Sequence, residues 1–251
     1  MTYEEKIFKC ETLDTLFSFW KQKKVSEITY ESDGNVVTKS LDHSKNIFVS
    51  DGIVNPNKWG NYGNKKILFV MKEAYGGDGD WSLADWLLNE HPTLRIWKRI
   101  AKWSHGLQYT TSNCICRYME NLSELVHNEA LERIAVMNLK KSDGKSSSQY
   151  AEIAAYANLD SLEIRKEFEL IDAEIIICGA TFNMLCSALL GNPLPEDEKS
   201  DNWYYFLNIF GKKRLFIDYY HPANRWSDLL NYYGILSIYQ QALIEDNEQG
   251  K

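Results

Sequence analysis

The chain has no apolar run approaching the roughly 18 residues that a membrane span requires, so an integral helical membrane protein is not expected. Basic charge is also short: 28 Lys and Arg face 35 Asp and Glu, a formal charge of −7, which argues against a protein that coats nucleic acid non-specifically. A locally basic groove stays open, because net charge does not say where the charges sit. Cysteine is scarce and odd in number. Cys10, Cys114, Cys116, Cys178 and Cys186 include no CxxC pair, so free thiols are expected and no metal site. The first residues, MTYEEKIFKCETLD, carry acids where a secretory leader would carry bases, which leads to the expectation of a cytoplasmic protein. GxxxxGK[ST] and GxGxxG phosphate loops are absent as well, leaving little support for a nucleotide-processing α/β enzyme.

What is present is an ordinary globular composition, 44% hydrophobic and 25% charged, in 251 residues: enough for one large domain with an extension. Four short apolar runs, ILFVM at 67–71, IAVM at 134–137, IIIC at 175–178 and LFI at 215–217, read as buried strands of a parallel sheet. Helical patterns separate them: 81–104 with Pro92 as an interruption, 117–130, and a helix to Ile171 with Asp160 and Glu163 as a capping pair and Leu162, Phe168 and Ile171 sharing a face. TFNMLCSALLG follows, closed by Gly191 and Pro193, and then 226–245, which offers Leu229, Leu230, Tyr233, Leu236 and Tyr239 for burial. The expected fold is α/β: a three-layer α/β/α domain over 47–246 around a mainly parallel four-stranded sheet. Residues 1–46 read as a packed extension, a helix followed by a β-hairpin turning at Asp33-Gly34, and 247–251 as a tail.

Ligands of open α/β sheets bind outside the carboxyl ends of the strands, so the residues just past each apolar run are the ones to read. The first run leads into Lys72-Glu73-Ala74-Tyr75-Gly76-Gly77, the second into Asn138-Leu139-Lys140-Lys141, the third into Gly179-Ala180-Thr181, and the fourth into His221-Pro222. Each has an ordinary reading: Glu73 as a loop acid or helix cap, Asn138 as a turn residue, His221 as a satisfied structural histidine. A carboxylate, an amide and an imidazole in this order are more specific than any one of them.

In ILFVMKEAYGG, IAVMNLKKSDGKSSSQYAE and LFIDYYHPANRW the chain resembles the uracil-DNA glycosylase superfamily over about residues 60–240. There a first strand leads to a motif such as GQDPY, GINPG or GEAPG, a middle strand ends in a base-reading Asn, and a late strand leads to HPS or HPSP. EFELIDAEIIICGATFNML is similar to the family's helix and strand before its third crossover. The resemblance implies a monofunctional DNA glycosylase that flips a base out of DNA and hydrolyses its N-glycosidic bond, leaving an abasic site, without metal or cofactor.

The roles fit the residue chemistry. Bond cleavage develops positive charge on the sugar and negative charge on the departing base. Glu73 can stabilise the sugar and orient or activate water, His221 can stabilise the leaving base at its carbonyl, and Asn138 can read a base edge. Tyr75 stacks on the base or limits pocket size. Arg225 falls where the family enters the space of the flipped nucleotide, closer to the single-strand-selective monofunctional branch than to the Leu-wedge branch, with Trp226 beside it for stacking. Lys140, Lys141, Lys145 and Ser146, Ser147 and Ser148 are placed to contact DNA phosphates, with a solvated loop as the alternative.

The motifs also depart from the family. Ala74 replaces a common Pro, and Glu73 aligns either with the catalytic Asp of GQDPY or with the Glu of GEAPG. In the second alignment Glu73 supports, and Asp78 or Asp80 becomes the carboxylate to consider. Ala223 and Asn224 replace the Ser and second Pro of HPSP. The four cysteines of the iron–sulfur branches are missing, so no cluster is expected. Lys72 leaves a Schiff-base route open.

The expected substrate is a modified pyrimidine, with glucosylated 5-hydroxymethylcytosine of phage DNA as the candidate and antiviral defence as the context, or uracil in DNA repair. The expected protein is a monomer whose partner is DNA, single- or double-stranded, and not a membrane. The alternative from another class is a glycosylase-fold protein that binds nucleic acid or a nucleotide without cleaving it.

Overall fold

In a computed structural model the described residues are 1–194 and 203–249; the last two positions of the expected tail, 250 and 251, lie outside them. The chain opens with two short helices, α1 (Tyr3–Phe8) and α2 (Leu13–Trp20), then a ribbon of β1 (Lys24–Ser32) and β2 (Asn35–Asp42) turning at Asp33-Gly34, both at positive φ. Next come β3 (Val49–Ser50), β4 (Gly52–Ile53), β5 (Ile67–Glu73), β6 (Trp81–Ser82), α3 (Leu83–Glu90), α4 (Arg95–Tyr109), α5 (Glu124–Glu132) and β7 (Ile134–Lys140). The second half is α6 (Tyr150–Leu159), α7 (Ser161–Ile171), β8 (Ile175–Gly179), α8 (Phe182–Leu190), β9 (Tyr204–Ile209), β10 (Lys212–Tyr219) and α9 (Asp228–Gln249).

The fold is mixed α/β around a six-stranded sheet in the order β4-β7-β5-β8-β10-β9. The four apolar runs are its inner strands, mutually parallel, and they read as continuous apolar segments because both faces are covered. Two further strands pair antiparallel at the edges, β4 on β7 and β9 on β10, so the sheet is wider than the four strands expected. Alternate residues of each inner strand face opposite cores. Ile67, Phe69 and Val136 pack with Trp97, Trp103, Leu131 and Leu236 from α4, α5 and α9. Leu68, Val70 and Met137 pack with Phe17, Ile153, Phe168 and Leu185 from α2, α6, α7 and α8. The crossover from β5 to β7 therefore runs over one face and the return from β7 to β8 over the other, which places a topological switch point beside β5.

Several helical expectations change. The pattern over 81–104 divides into α3 and α4 across His91–Leu94, where Pro92 cannot continue a helix. Asp160 and Glu163 do not cap α7. Both are fully buried and bind Lys23 Nζ, at 3.0 and 2.9 Å, and Asp160 also pairs with the buried His43 at 3.2 Å. Leu162 packs with Ile7 and Leu16, apart from the core that takes Phe168 and Ile171. On α9, Leu236 and Tyr239 are buried, whereas Leu229, Leu230 and Tyr233 are exposed in its first two turns. No helix among the described residues is long and apolar enough to cross a membrane.

Candidate active site

Beyond the carboxyl ends of β5, β7 and β10 lies a cavity of about 750 Å³. Its lining includes Glu73, Tyr75, Asn138, Ser146 and His221, brought to one place from three strand ends, together with Lys145 and Ser148. Its opposite wall is apolar and went unremarked in the sequence: Trp81, Trp86 and Trp97, with Leu94 and Ile96, projecting from α3, α4 and the segment before them. The three indoles form a ladder of edge contacts, 6.1 Å between successive ring centres, and Trp81 Nε1 donates to the Gly76 carbonyl at 2.9 Å.

His221 sits at the rim where β10 ends. The Ala223 backbone N–H donates to its Nδ1 at 3.2 Å, so in the neutral ring the proton is on Nε2. Burial, with the Lys72 ammonium adding to it, brings the imidazole down to about 4. At neutral pH this group is an uncharged hydrogen-bond donor. The turn that carries it is fixed from beneath by Arg99, almost wholly buried on α4, which donates to the carbonyls of Pro222 (2.8 Å), Asn224 (2.9 Å) and Trp226 (3.0 Å) and pairs with Asp228. Asn224 adds bonds from its side chain to the His221 carbonyl at 2.8 Å and to Asn231. Arg99 was missed in the sequence, although a cation among Ile96, Trp97, Ile100 and Trp103 on an otherwise apolar helix face is a signal of a buried clamp.

Glu73 is less free than a solvated general base. Its Oε2 accepts from Lys140 Nζ at 2.9 Å and from the Lys145 backbone N–H at 3.2 Å, while no donor reaches Oε1 among the described residues. Lys140 also meets Glu152 Oε1 at 3.2 Å, and Glu152 binds Lys39 and Lys145 as well. Burial opposes ionisation of Glu152, but the hydrogen bonds from Lys145 and Lys39 and the charge of Lys140 outweigh it and hold the carboxyl at about 2. This balanced cluster ties the strand end to the ribbon through Lys39 of β2.

Asn138 is 2% exposed, and both its backbone N–H (2.7 Å) and its Nδ2 (3.0 Å) donate to Asp51 Oδ2. Asp51 is another residue missed in the sequence. Its other oxygen accepts from Lys141 Nζ at 2.5 Å, and Lys141 also binds Glu167 at 2.8 Å.

The phosphate-contact expectation is corrected for two residues. Lys140 and Lys141 have fully buried side chains, each spent on two carboxylates, and cannot reach a DNA backbone. Ser147 is exposed outside the cavity lining; Arg225 and Trp226 are exposed as well, with Trp226 stacked on Tyr220 at 6.3 Å. Of the alternative carboxylates, Asp78 is exposed outside the cavity, and Asp80 accepts from the Phe48 N–H at 2.8 Å and pairs with Lys21, away from it. No group of three or more potential metal ligands occurs among the described residues.

The rim is completed by close packing of two loops. A Cβ on Gly144 would lie 1.8 Å from the Ala74 carbonyl oxygen, so only glycine lets the loop after β7 lie on the loop after β5. No protein-family model matches the chain, and no curated protein matches its sequence.

Proposed function

We propose that this protein is a DNA glycosylase that takes a flipped base into the cavity and hydrolyses its N-glycosidic bond. The observation that carries the reading is the convergence of Glu73, Asn138 and His221, from three different strand ends, on one cavity with an aromatic wall. The parallel order β7-β5-β8-β10, with the site at its switch point, supports the finer reading of a uracil-DNA glycosylase-like fold.

In this reading the C1′–N bond breaks with its electron pair going to the base, and His221 Nε2–H stabilises the resulting anion at a ring carbonyl oxygen. The neutral ring can fill that role because Nδ1 accepts from the Ala223 N–H and the remaining proton sits on Nε2 as the donor. Asn138 holds the base edge. Glu73 offers its second oxygen to the cationic sugar and to the attacking water, which adds at C1′ and gives its proton to that oxygen. The proton then passes through solvent, and the departed base anion takes one up. The products are the free base and an abasic site.

The substrate we infer is a pyrimidine carrying a bulky polar substituent, for which glucosylated 5-hydroxymethylcytosine of phage DNA is the concrete candidate and antiviral defence the context. The cavity volume and the three tryptophans beside Ser146 and Ser148 support it, since aromatic faces and hydroxyls together suit a sugar. Uracil is the smaller alternative.

A second reading, binding of a base or nucleotide without cleavage, is favoured by one observation: Lys140 neutralises the Glu73 carboxylate that the reaction requires. One experiment decides between the readings. The purified protein is incubated with uracil-containing DNA, plain DNA and glucosyl-hydroxymethylcytosine phage DNA, abasic sites are counted, and released bases are identified by mass spectrometry. Release from one modified substrate is expected; binding with no release from any would favour the second reading.

A further inference from the structure

Strand β4 begins only at Gly52, paired with Val136, so the Asn138 N–H two residues further along β7 has no strand partner on that side. The Asp51 carboxylate takes its place. One of its oxygens, Oδ2, accepts both the backbone N–H and the side-chain Nδ2 of Asn138. The Asn138 backbone N–H and the Lys141 ammonium can only donate and already face the two oxygens, so the carboxamide meets Oδ2 with its nitrogen end; the reverse orientation would set two oxygens against each other. Asn138 Oδ1 is thereby turned away from Asp51, and it receives no donor among the described residues although Asn138 lines the cavity.

Asp51 is itself immobilised. Lys141 holds Oδ1 and is held in turn by Glu167, all three buried, beneath the rings of Phe17 and Trp20. Burial, with the neighbouring Asp51 adding to it, pushes the Glu167 carboxyl well above the usual carboxylate range despite Lys141. Backbone geometry adds a further constraint, because Gly52 adopts φ +122° and a Cβ there would lie 2.5 Å from Leu13 Cδ1.

We propose that Asp51 is a positioning residue for base recognition: it fixes the Asn138 carboxamide with its oxygen toward the cavity, so that the site selects a base presenting an N–H donor at that edge. This rests on the reading of the cavity as a base pocket. The matching donors on pyrimidines are a ring N3–H or an exocyclic 4-amino group, and methylation of that nitrogen removes the match.

The test compares kcat/KM for the base the protein releases with kcat/KM for the same base methylated at the donor nitrogen: uracil with N3-methyluracil, or the cytosine derivative with its N4,N4-dimethyl form. In the unaltered protein the methylated base is expected to be disfavoured about a hundredfold. Asp51→Asn, which lets the amide turn, is expected to reduce that ratio about tenfold. Lys141→Met removes the group that holds Oδ1 but leaves both donors to Oδ2, and is expected to lower thermal stability and to reduce the ratio by less than Asp51→Asn does. Equal ratios in the unaltered and Asp51→Asn proteins, or a loss with Lys141→Met as large as with Asp51→Asn, would overturn the proposal.

A second measurement needs neither turnover nor a folded Asp51 variant. The Asn138 carboxamide resonances, assigned by their loss in Asn138→Asp, should show one proton shifted downfield and slow to exchange. A pair at the position of a free side chain would sink the pin. Failure of the unaltered protein to release any base would count against the glycosylase reading alone, since the resonance reports the pin independently.

Discussion

At the scale of single residues, His221 and Glu73 make opposite kinds of prediction. The imidazole is held near 4, so it is neutral through the range in which an ordinary histidine titrates. An acid limb of kcat/KM governed by His221 should fall below pH 5 and not near 6.5, and Lys72→Met, which removes one of the two causes of the depression, should move it upward. A pH–rate profile of both proteins checks this. Stability carries the same sign: the unfolded histidine takes a proton below about 6.5 and the folded one only below about 4, so stability is full above the upper value and declines as pH falls through that window, by no more than about 3 kcal/mol. Glu73 is tested by charge, because Glu73→Gln keeps the shape and loses the anion. Turnover should drop by about 10²–10⁴-fold with the fold retained, as read by single-turnover kinetics and circular dichroism. Unchanged turnover would leave Glu73 as a structural partner of Lys140.

At the scale of elements, the site depends on loops that are placed by packing. Gly144→Ala would drive a methyl into the Ala74 carbonyl, so the loops after β5 and β7 must part; a loss of about 1–3 kcal/mol in thermal unfolding, together with a fall in kcat/KM, is the expected result. Arg99→Lys should act on the third loop. A lysine keeps the charge but not the fork that reaches three carbonyls and Asp228, so about 2 kcal/mol of stability and the placement of His221 should both be lost, which unfolding and turnover measurements would show. These same elements explain what could be read beforehand. The four inner strands announce themselves as continuous apolar runs because helices cover both faces, and the strand-end residues Glu73, Asn138 and His221 follow from that placement. The edge strands do not: β4 is two residues long, and β9 is buried only at its two ends, Tyr204 and Ile209. Lys140 and Lys141 read as phosphate contacts or as a solvated loop, since nothing local reveals the acids that bury them, Glu73 and Glu152 for one and Asp51 and Glu167 for the other, 12 to 90 residues away. Asp160 and Glu163 misled for the same reason, their partner Lys23 lying well over a hundred residues away.

At the scale of the whole molecule, burial of those two lysines changes what DNA binding can rest on. The chain carries a formal charge of −7, and the cations exposed near the cavity are few, Lys145 and Arg225 among them, with Lys145 already paired to Glu152 at 2.8 Å. Each phosphate neutralised by a protein cation adds nearly one unit to the slope of log affinity against log salt. A protein that tracked the backbone with many lysines would show a steep slope, whereas here most of the binding free energy should come from the base in its aromatic cavity and from stacking at Trp226. The slope should therefore be shallow, on the order of −2 or less steep, for an oligonucleotide containing the cleaved base and bound by Glu73→Gln. Fluorescence anisotropy across a salt series measures it. A slope steeper than about −5 would mean that a basic surface distant from the cavity carries the DNA, and the site would then have to be approached from that surface.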